Sequence, residues 1–198
     1  METKNSTPER ILMVLLKEPF VNHTATSLAS ALGITRQGIW KSLNKLVTDK
    51  LILLKQLSKT RTSTAIIKIN WNNPVTEKTL SLLLTKKALE QERWQVNFAE
   101  LKDDINFLLL FGSIINKPKE ANDIDMILIV KKRQSFQALN KKIVKIQQTQ
   151  LKKIHNIDLT EEEFIAELKK QNKAYLDALK KGVILYGQEK FIDFIKNL

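Results

Sequence analysis

The chain has 198 residues, 43% of them hydrophobic, and a formal net charge of +12. That length admits one or two domains with ordinary apolar cores. The absence of cysteine excludes disulfides, cysteine-ligated zinc and a cysteine nucleophile. It also fits a cytoplasmic protein. No apolar run reaches transmembrane length, and the opening Met-Glu-Thr-Lys-Asn-Ser-Thr-Pro-Glu-Arg lacks the apolar stretch of a signal peptide. The expectation is therefore a cytoplasmic protein that does not engage a membrane. Residues 1–74 hold eleven Lys and Arg against four Asp and Glu, a balance of +7, and residues 75–198 a balance of +5. A basic surface of this kind suits an anionic partner such as nucleic acid or nucleotide. Solvated lysines in a Lys-rich chain produce the same count, so charge alone does not choose.

Three helices are expected first. Pro8 suits a helix start, and Ile11, Leu12, Leu15 and Leu16 recur at helical spacing. Thr26 is placed to cap a short helix carrying Leu28, Ala29, Ala31 and Leu32, with Gly33 ending it. Thr35 then caps a third helix with Ile39, Leu43, Leu46 and Val47 on its apolar face, which Trp40 shares as a partly buried packing residue. The opposite stripe is polar: Gln37, Lys41, Asn44, Lys45 and Thr48, with Arg36 in the first turn. Residues 51–57 and 64–69 read as two strands, joined by the polar turn Ser58-Lys59-Thr60-Arg61-Thr62-Ser63. A helix, a glycine turn, a polar-striped helix and a basic hairpin form the helix-turn-helix pattern with a wing.

The segment from Gly33 to Leu46 resembles the winged-helix domains of prokaryotic transcription regulators. The resemblance implies binding to double-stranded DNA, with the third helix in the major groove. Arg36, Gln37, Lys41 and Asn44 are then the expected base readers, and Thr35, Ser42, Lys45, Lys59 and Arg61 the expected phosphate contacts. Winged helices also serve as protein-interaction modules, and a polar helix face is often only solvated. Basic residues on both the third helix and the wing favour DNA.

Asn70-Trp71-Asn72-Asn73-Pro74 breaks the pattern. Thr76 is placed to cap one long helix running to about Asn97, with Leu80, Leu83, Leu84, Ala88 and Trp94 as its apolar stripe. Its expected job is to pack on one domain or to pair with a second copy in a homodimer.

Two apolar runs follow. Leu108-Leu109-Leu110-Phe111 ends in Gly112-Ser113; after nine intervening residues Asp123-Ile124-Asp125 opens Met126-Ile127-Leu128-Ile129-Val130. Short apolar runs bounded by turn residues read as buried strands. Side chains alternate along a strand, so Asp123 and Asp125 point the same way. Two carboxylates on one face make an oxygen site for a hard cation such as Mg²⁺, as metal-assisted phosphoryl or nucleotidyl transfer requires. A basic, helix-spaced segment comes next, with Phe136, Leu139, Ile143 and Ile146 facing inward. Lys153 to Leu159 reads as a short strand before Thr160, which caps a helix opening Glu161-Glu162-Glu163. The two histidines, His23 and His155, have no partner at ligand spacing, and neither is assigned chemistry.

The Gly112-Ser113 and Asp123-Ile124-Asp125 pair, each against its apolar run, resembles the signature of DNA polymerase beta-like nucleotidyltransferases, the minimal prokaryotic kind in particular. The resemblance covers roughly residues 100–198, and Gly182-Val183-Ile184-Leu185-Tyr186-Gly187 with its following helix matches the family's end. It implies that Gly112 lets the backbone approach a nucleoside triphosphate and that Ser113 holds its outer phosphates. Asp123 and Asp125 would hold two Mg²⁺ ions across the α-phosphate. The family's third carboxylate, on a neighbouring strand, falls to Asp158, which makes Asp123, Asp125 and Asp158 the expected catalytic and metal-binding set. Family members often carry Arg shortly after the Gly-Ser; here Lys117 or Lys119 would contact the triphosphate, as a point charge rather than a fork.

The expected whole is an α+β protein in three parts: a winged helix-turn-helix DNA-binding domain at 1–74, a linking helix at 75–99 and a nucleotidyltransferase domain at 100–198. Its activity would move a nucleoside monophosphate from an NTP to a hydroxyl of a protein, an RNA end or a small molecule, with an antitoxin- or regulator-like use of DNA binding. The alternative is a transcription regulator whose nucleotidyltransferase fold only senses nucleotide or is inactive.

Overall fold

A computed structural model describes residues 6–56, 64–130 and 132–198. The chain is mixed α and β, and it divides into two compact units, Met1–Leu83 and Leu84–Leu198.

In the first unit, helix α1 (Thr7–Lys17) starts at Ser6, whose backbone N–H donates to the Glu9 carboxylate at 2.7 Å. Helix α2 (Ala25–Leu32) is capped by Thr24, not by Thr26 as expected. The Thr24 hydroxyl accepts from the Ser27 N–H while the Ser27 hydroxyl accepts from the Thr24 N–H, a reciprocal cap that starts the helix earlier and buries Ala25. Gly33 ends α2 in the left-handed conformation. Helix α3 (Arg36–Thr48) has Thr35 as its cap. Its inward stripe is Ile39, Ser42, Leu43 and Leu46, so Ser42 takes the place expected of Val47, which is 38% exposed. Spacings of three and four from Ile39 select positions 42, 43 and 46 and leave 47 on the flank. Strands β1 (Ile52–Gln56) and β2 (Ala65–Ile69) pair antiparallel, Ile52 opposite Ile69 and Gln56 opposite Ala65. The His23 carbonyl accepts from the Ile67 N–H, adding a bridge beside β2.

Helix α4 (Pro74–Leu89) begins with proline at its first position, where the missing N–H costs nothing. The Asn73 side chain accepts from the Val75 N–H at 3.0 Å; Thr76 sits inside the first turn and is fully buried. The expected helix to Asn97 is interrupted. The chain leaves helical geometry at Gln91 and resumes in α5 (Glu92–Asn97). No glycine or proline marks this break. What it achieves is burial: Trp94 and Phe98 stack at 6.2 Å between ring centroids inside the second unit. The linking segment of 75–99 is thus two helices, and the boundary between units falls within α4, at Leu83–Leu84.

The second unit is built on a four-stranded sheet. Its strands are β3 (Ile105–Phe111), β4 (Asp123–Val130), β5 (Lys153–Leu159) and β6 (Val183–Tyr186), in the order β5-β4-β3-β6. The β3–β4 and β3–β6 pairs are antiparallel and β4–β5 is parallel. Between β3 and β4 lies the short helix α6 (Ser113–Asn116). Helix α7 (Phe136–Gln147) supplies the crossover that a parallel β4–β5 pair requires. Helices α8 (Glu161–Lys169), α9 (Lys173–Lys181) and α10 (Gln188–Lys196) complete the unit.

Both faces of the two central strands are covered along most of their length, which is why β3 and β4 are largely apolar away from the end that carries Asp123 and Asp125. One face carries Leu108, Leu110, Ile124, Met126 and Leu128 in a core with Trp94, Phe98, Leu139, Ile143 and Ile146. The other carries Phe107, whose ring lies 5.3 Å from those of both Phe191 and Phe194. Tyr186 ties β6 to α5 by donating its hydroxyl to the Gln95 carbonyl. Among the described residues no helix is long and apolar enough to cross a membrane.

Phe107 is fully buried at the hub of these rings. Phe107→Ala is expected to cost about 3–5 kcal/mol. Chemical denaturation followed at the C-terminal unit reads that loss, and a change below about 1 kcal/mol would show that the ring is not the packing centre.

Candidate functional site

Asp123 and Asp125 lie at the start of β4, and the pleat turns both away from the face of Ile124 and Met126. Phe111 pairs with Asp125 across β3, so the next residue, Gly112, comes directly against the Asp125 carboxylate. Gly112 has φ +81°, and a Cβ built on it would stand 2.5 Å from Asp125 Oδ2. No larger residue fits there without moving that carboxylate, and the positive φ adds strain for any L side chain. Ser113 follows at the head of α6 and is exposed.

On the other side β5 runs parallel, with Asp123 opposite Lys153 and Asp125 opposite His155. His155 therefore shares the aspartates' face. Its Nδ1 lies 3.4 Å from Asp123 Oδ2 and 3.6 Å from Asp125 Oδ1. One ligand atom from each of the three residues falls within 4.8 Å of the others. Burial and the neighbouring Asp123 charge raise the Asp125 carboxyl above its ordinary value, with His155 opposing the shift. A carboxyl at Asp125 whose ionisation burial and its acidic neighbour disfavour, faced by an imidazole nitrogen, belongs to a donor set that a divalent cation relieves. The residues present fit such an ion, with Asp123, Asp125 and His155 as its ligands.

The expected third carboxylate is elsewhere. Asp158 pairs with Leu128, which places it on the Ile154 face of β5, opposite the aspartates. It accepts from Asn156 Nδ2 at 2.8 Å, and burial raises its carboxyl above the ordinary 3.8. His155, not Asp158, occupies the place in register with the aspartates. The run Ile154-His155-Asn156-Ile157-Asp158-Leu159 has apolar residues on both parities, so its pattern did not say which face each residue takes. The start-to-start pairing of Asp123 with Lys153 does.

The loop lysines are also apart from the cluster. Lys117 Nζ lies 2.8 Å from Glu120 Oε2, both highly exposed. Lys119 lines a cavity of about 340 Å³ together with Arg93, Trp94, Ile124 and Lys152, on the Ile124 side of β4. Of the expected nucleotide-binding residues, Gly112 and Ser113 adjoin the acidic pair.

In the first unit, Arg36, Gln37, Lys41, Asn44 and Lys45 are all exposed along α3. Two expected phosphate contacts have other work. The Thr35 hydroxyl accepts from the Gly38 N–H at 3.2 Å as the helix cap. Ser42 is 9% exposed and donates its hydroxyl to the Gly38 carbonyl. Lys59 and Arg61 lie outside the described residues. No family model, curated protein or solved structure matches the chain.

Two substitutions separate the site from its surroundings. Gly112→Ala is expected to weaken divalent-cation binding by about 10- to 100-fold, the scale of losing a group that positions a ligand, as isothermal titration calorimetry would read. Asp158→Asn is expected to leave that binding unchanged. A carboxyl whose folded pKa is raised loses stability for the fold as pH rises through that pKa. Asp158→Asn should therefore raise the unfolding midpoint at neutral pH, and the gain should vanish as pH falls toward the carboxyl's ordinary 3.8. Lost cation binding in this variant would return Asp158 to the site.

Proposed function

We propose that the C-terminal unit is a metal-dependent nucleotidyltransferase of the DNA polymerase beta-like kind, and that the N-terminal unit is a winged helix that binds double-stranded DNA. The observation that carries the enzymatic reading is the seating of the Asp125 carboxylate against Gly112. It joins the Gly-Ser turn and the Asp-x-Asp strand, separate in sequence, into one place. A third liganding residue reaches the same place from β5.

In the proposed reaction an acceptor hydroxyl oxygen bonds to the α-phosphorus of an NTP. The bond from that phosphorus to the bridging oxygen breaks, pyrophosphate leaves, and the hydroxyl proton passes to solvent. A divalent cation bound by Asp123, Asp125 and His155 supplies neutralisation of charge at the phosphate. Gly112 leaves the backbone open to a phosphate, and the exposed Ser113 hydroxyl offers it a donor. Asp123 and Asp125 would hold that ion on the open side of β4 and so set where the α-phosphate would lie. The acceptor is a hydroxyl of a protein, an RNA end or a small molecule.

The reading of the N-terminal unit rests on the exposed row Arg36, Gln37, Lys41, Asn44 and Lys45 on α3 and on the excess positive charge of residues 1–74. Together the two units describe a cytoplasmic regulator that both modifies a target and binds an operator, as an antitoxin would. A second reading keeps the DNA-binding unit and has the C-terminal unit sense nucleotide without turnover. It is favoured by His155, which stands where the resemblance calls for a third carboxylate.

Incubation with α-labelled ATP, GTP, CTP and UTP, a divalent cation and a lysate separates these. Transfer of label by the wild type and not by the Asp123→Asn, Asp125→Asn variant is the expected result. Nucleotide binding without transfer in any condition would leave the sensor. For the other unit, Arg36→Ala with Lys41→Ala should weaken duplex DNA binding by about tenfold or more in fluorescence anisotropy. It should also flatten the dependence of affinity on salt; unchanged binding would remove α3 as the DNA-reading element.

A further inference from the structure

We infer that His155 is a nitrogen ligand that turns the site from Mg²⁺ toward a first-row transition-metal ion such as Mn²⁺. This deepens the proposed function and rests on its claim that Asp123 and Asp125 hold a divalent cation.

Three observations lead there. The β4–β5 register sets His155 beside Asp125 on the aspartates' face, so its direction comes from the backbone ladder. The ring's side chain is 47% exposed, which means that packing does not hold it in place against the carboxylates. Its Nδ1 stands 3.4 Å and 3.6 Å from one oxygen of each aspartate. Those separations exceed good hydrogen bonds. They suit neighbouring ligands of one ion: metal–ligand bonds of about 2.0–2.2 Å put the ligand atoms roughly 2.8–3.1 Å apart at right angles and roughly 3.3–3.6 Å apart at tetrahedral angles, and the observed separations match the wider pair.

The chemistry then decides the ion. Mg²⁺ takes oxygen ligands and sheds water reluctantly. An imidazole suits Fe²⁺, Ni²⁺ and Zn²⁺, and affinity at a mixed nitrogen and oxygen site rises from Mn²⁺ along the first-row series; Mn²⁺, the lowest of these, still takes a nitrogen ligand more readily than the harder Mg²⁺. A ligating imidazole is also neutral. The ligand set Asp123, Asp125 and His155 thus carries two negative charges where three carboxylates would carry three, and the lost attraction weighs most on an ion bound by charge alone. Both effects act in the same direction.

Binding of Mn²⁺ to the full chain can be followed by the electron paramagnetic resonance of free Mn²⁺, with Mg²⁺ as competitor. The wild type should prefer Mn²⁺ by about tenfold or more, a difference of about 1.4 kcal/mol. His155→Ala should lose that preference, about tenfold in Mn²⁺ affinity, with little change for Mg²⁺. His155→Asp should bring the two ions close to parity by strengthening Mg²⁺. Because the residue is half exposed, both variants should keep the wild-type circular dichroism. In ¹⁵N-histidine spectra with diamagnetic Zn²⁺, the His155 Nδ1 signal should move, while buried His23, in the other unit, stays as an internal reference. Equal Mn²⁺ and Mg²⁺ affinity in the wild type, unaltered by either His155 substitution but abolished by Asp123→Asn with Asp125→Asn, would overturn the role of His155 and leave the metal site standing. Cation binding that survives the double aspartate variant would instead remove the site itself.

Discussion

Where β4 lies parallel to β5, Asp125 stands opposite His155 and Leu128 opposite Asp158, and a slip of one residue would exchange the two faces of β5. This register is held from both sides. Ile154 is buried with the α7 core, and the Ile154 N–H donates to Gln147 Oε1 at the end of α7. On the far side of β4, the antiparallel pairing with β3 sets Phe111 opposite Asp125 and brings Gly112 onto its carboxylate. The geometry of the acidic pair is therefore a consequence of strand pairing across three strands, and the side chains inherit it.

The same sheet separates chemistry from packing. Along β4 the residues at Ile124, Met126 and Leu128 are fully or almost fully buried, while Asp123 and Asp125 at the open end are only partly covered. Deeper along the aspartates' face, Ile127 and Ile129 are buried in their turn. The carboxylates thus occupy the accessible end of that side of β4, and partial cover raises the proton affinity of Asp125 without closing the end of the strand to solvent. Rigid strands fix these side chains better than loops would.

The first unit follows a simpler rule. Helix α3 turns Ile39, Ser42, Leu43 and Leu46 inward and leaves its basic and amide residues outside. Its caps consume polar groups that a list of surface residues would offer to a ligand. Thr35 is engaged by Gly38, and Ser42 is engaged and covered. What remains exposed is a row of basic and amide side chains, Arg36, Gln37, Lys41, Asn44 and Lys45, that can reach outward from the helix.

Much of this was legible in the sequence, for local reasons. Helical spacing marked α1 and α3 and the buried stripe of α7, Thr35 and Thr160 announced their caps, and alternation placed Asp123 and Asp125 on one face. Each of those depends on residues within a few positions of one another. The break at Gln91 was not legible, because no local signal causes it; burial of Trp94 and Phe98 in the second core does. The residue completing the acidic pair was not legible either. Residue type pointed to Asp158, whereas the neighbour in space is His155. Which of two residues three apart on a strand shares a face with the neighbouring strand's carboxylates is decided by hydrogen-bond register, and register exists only once the strands have met.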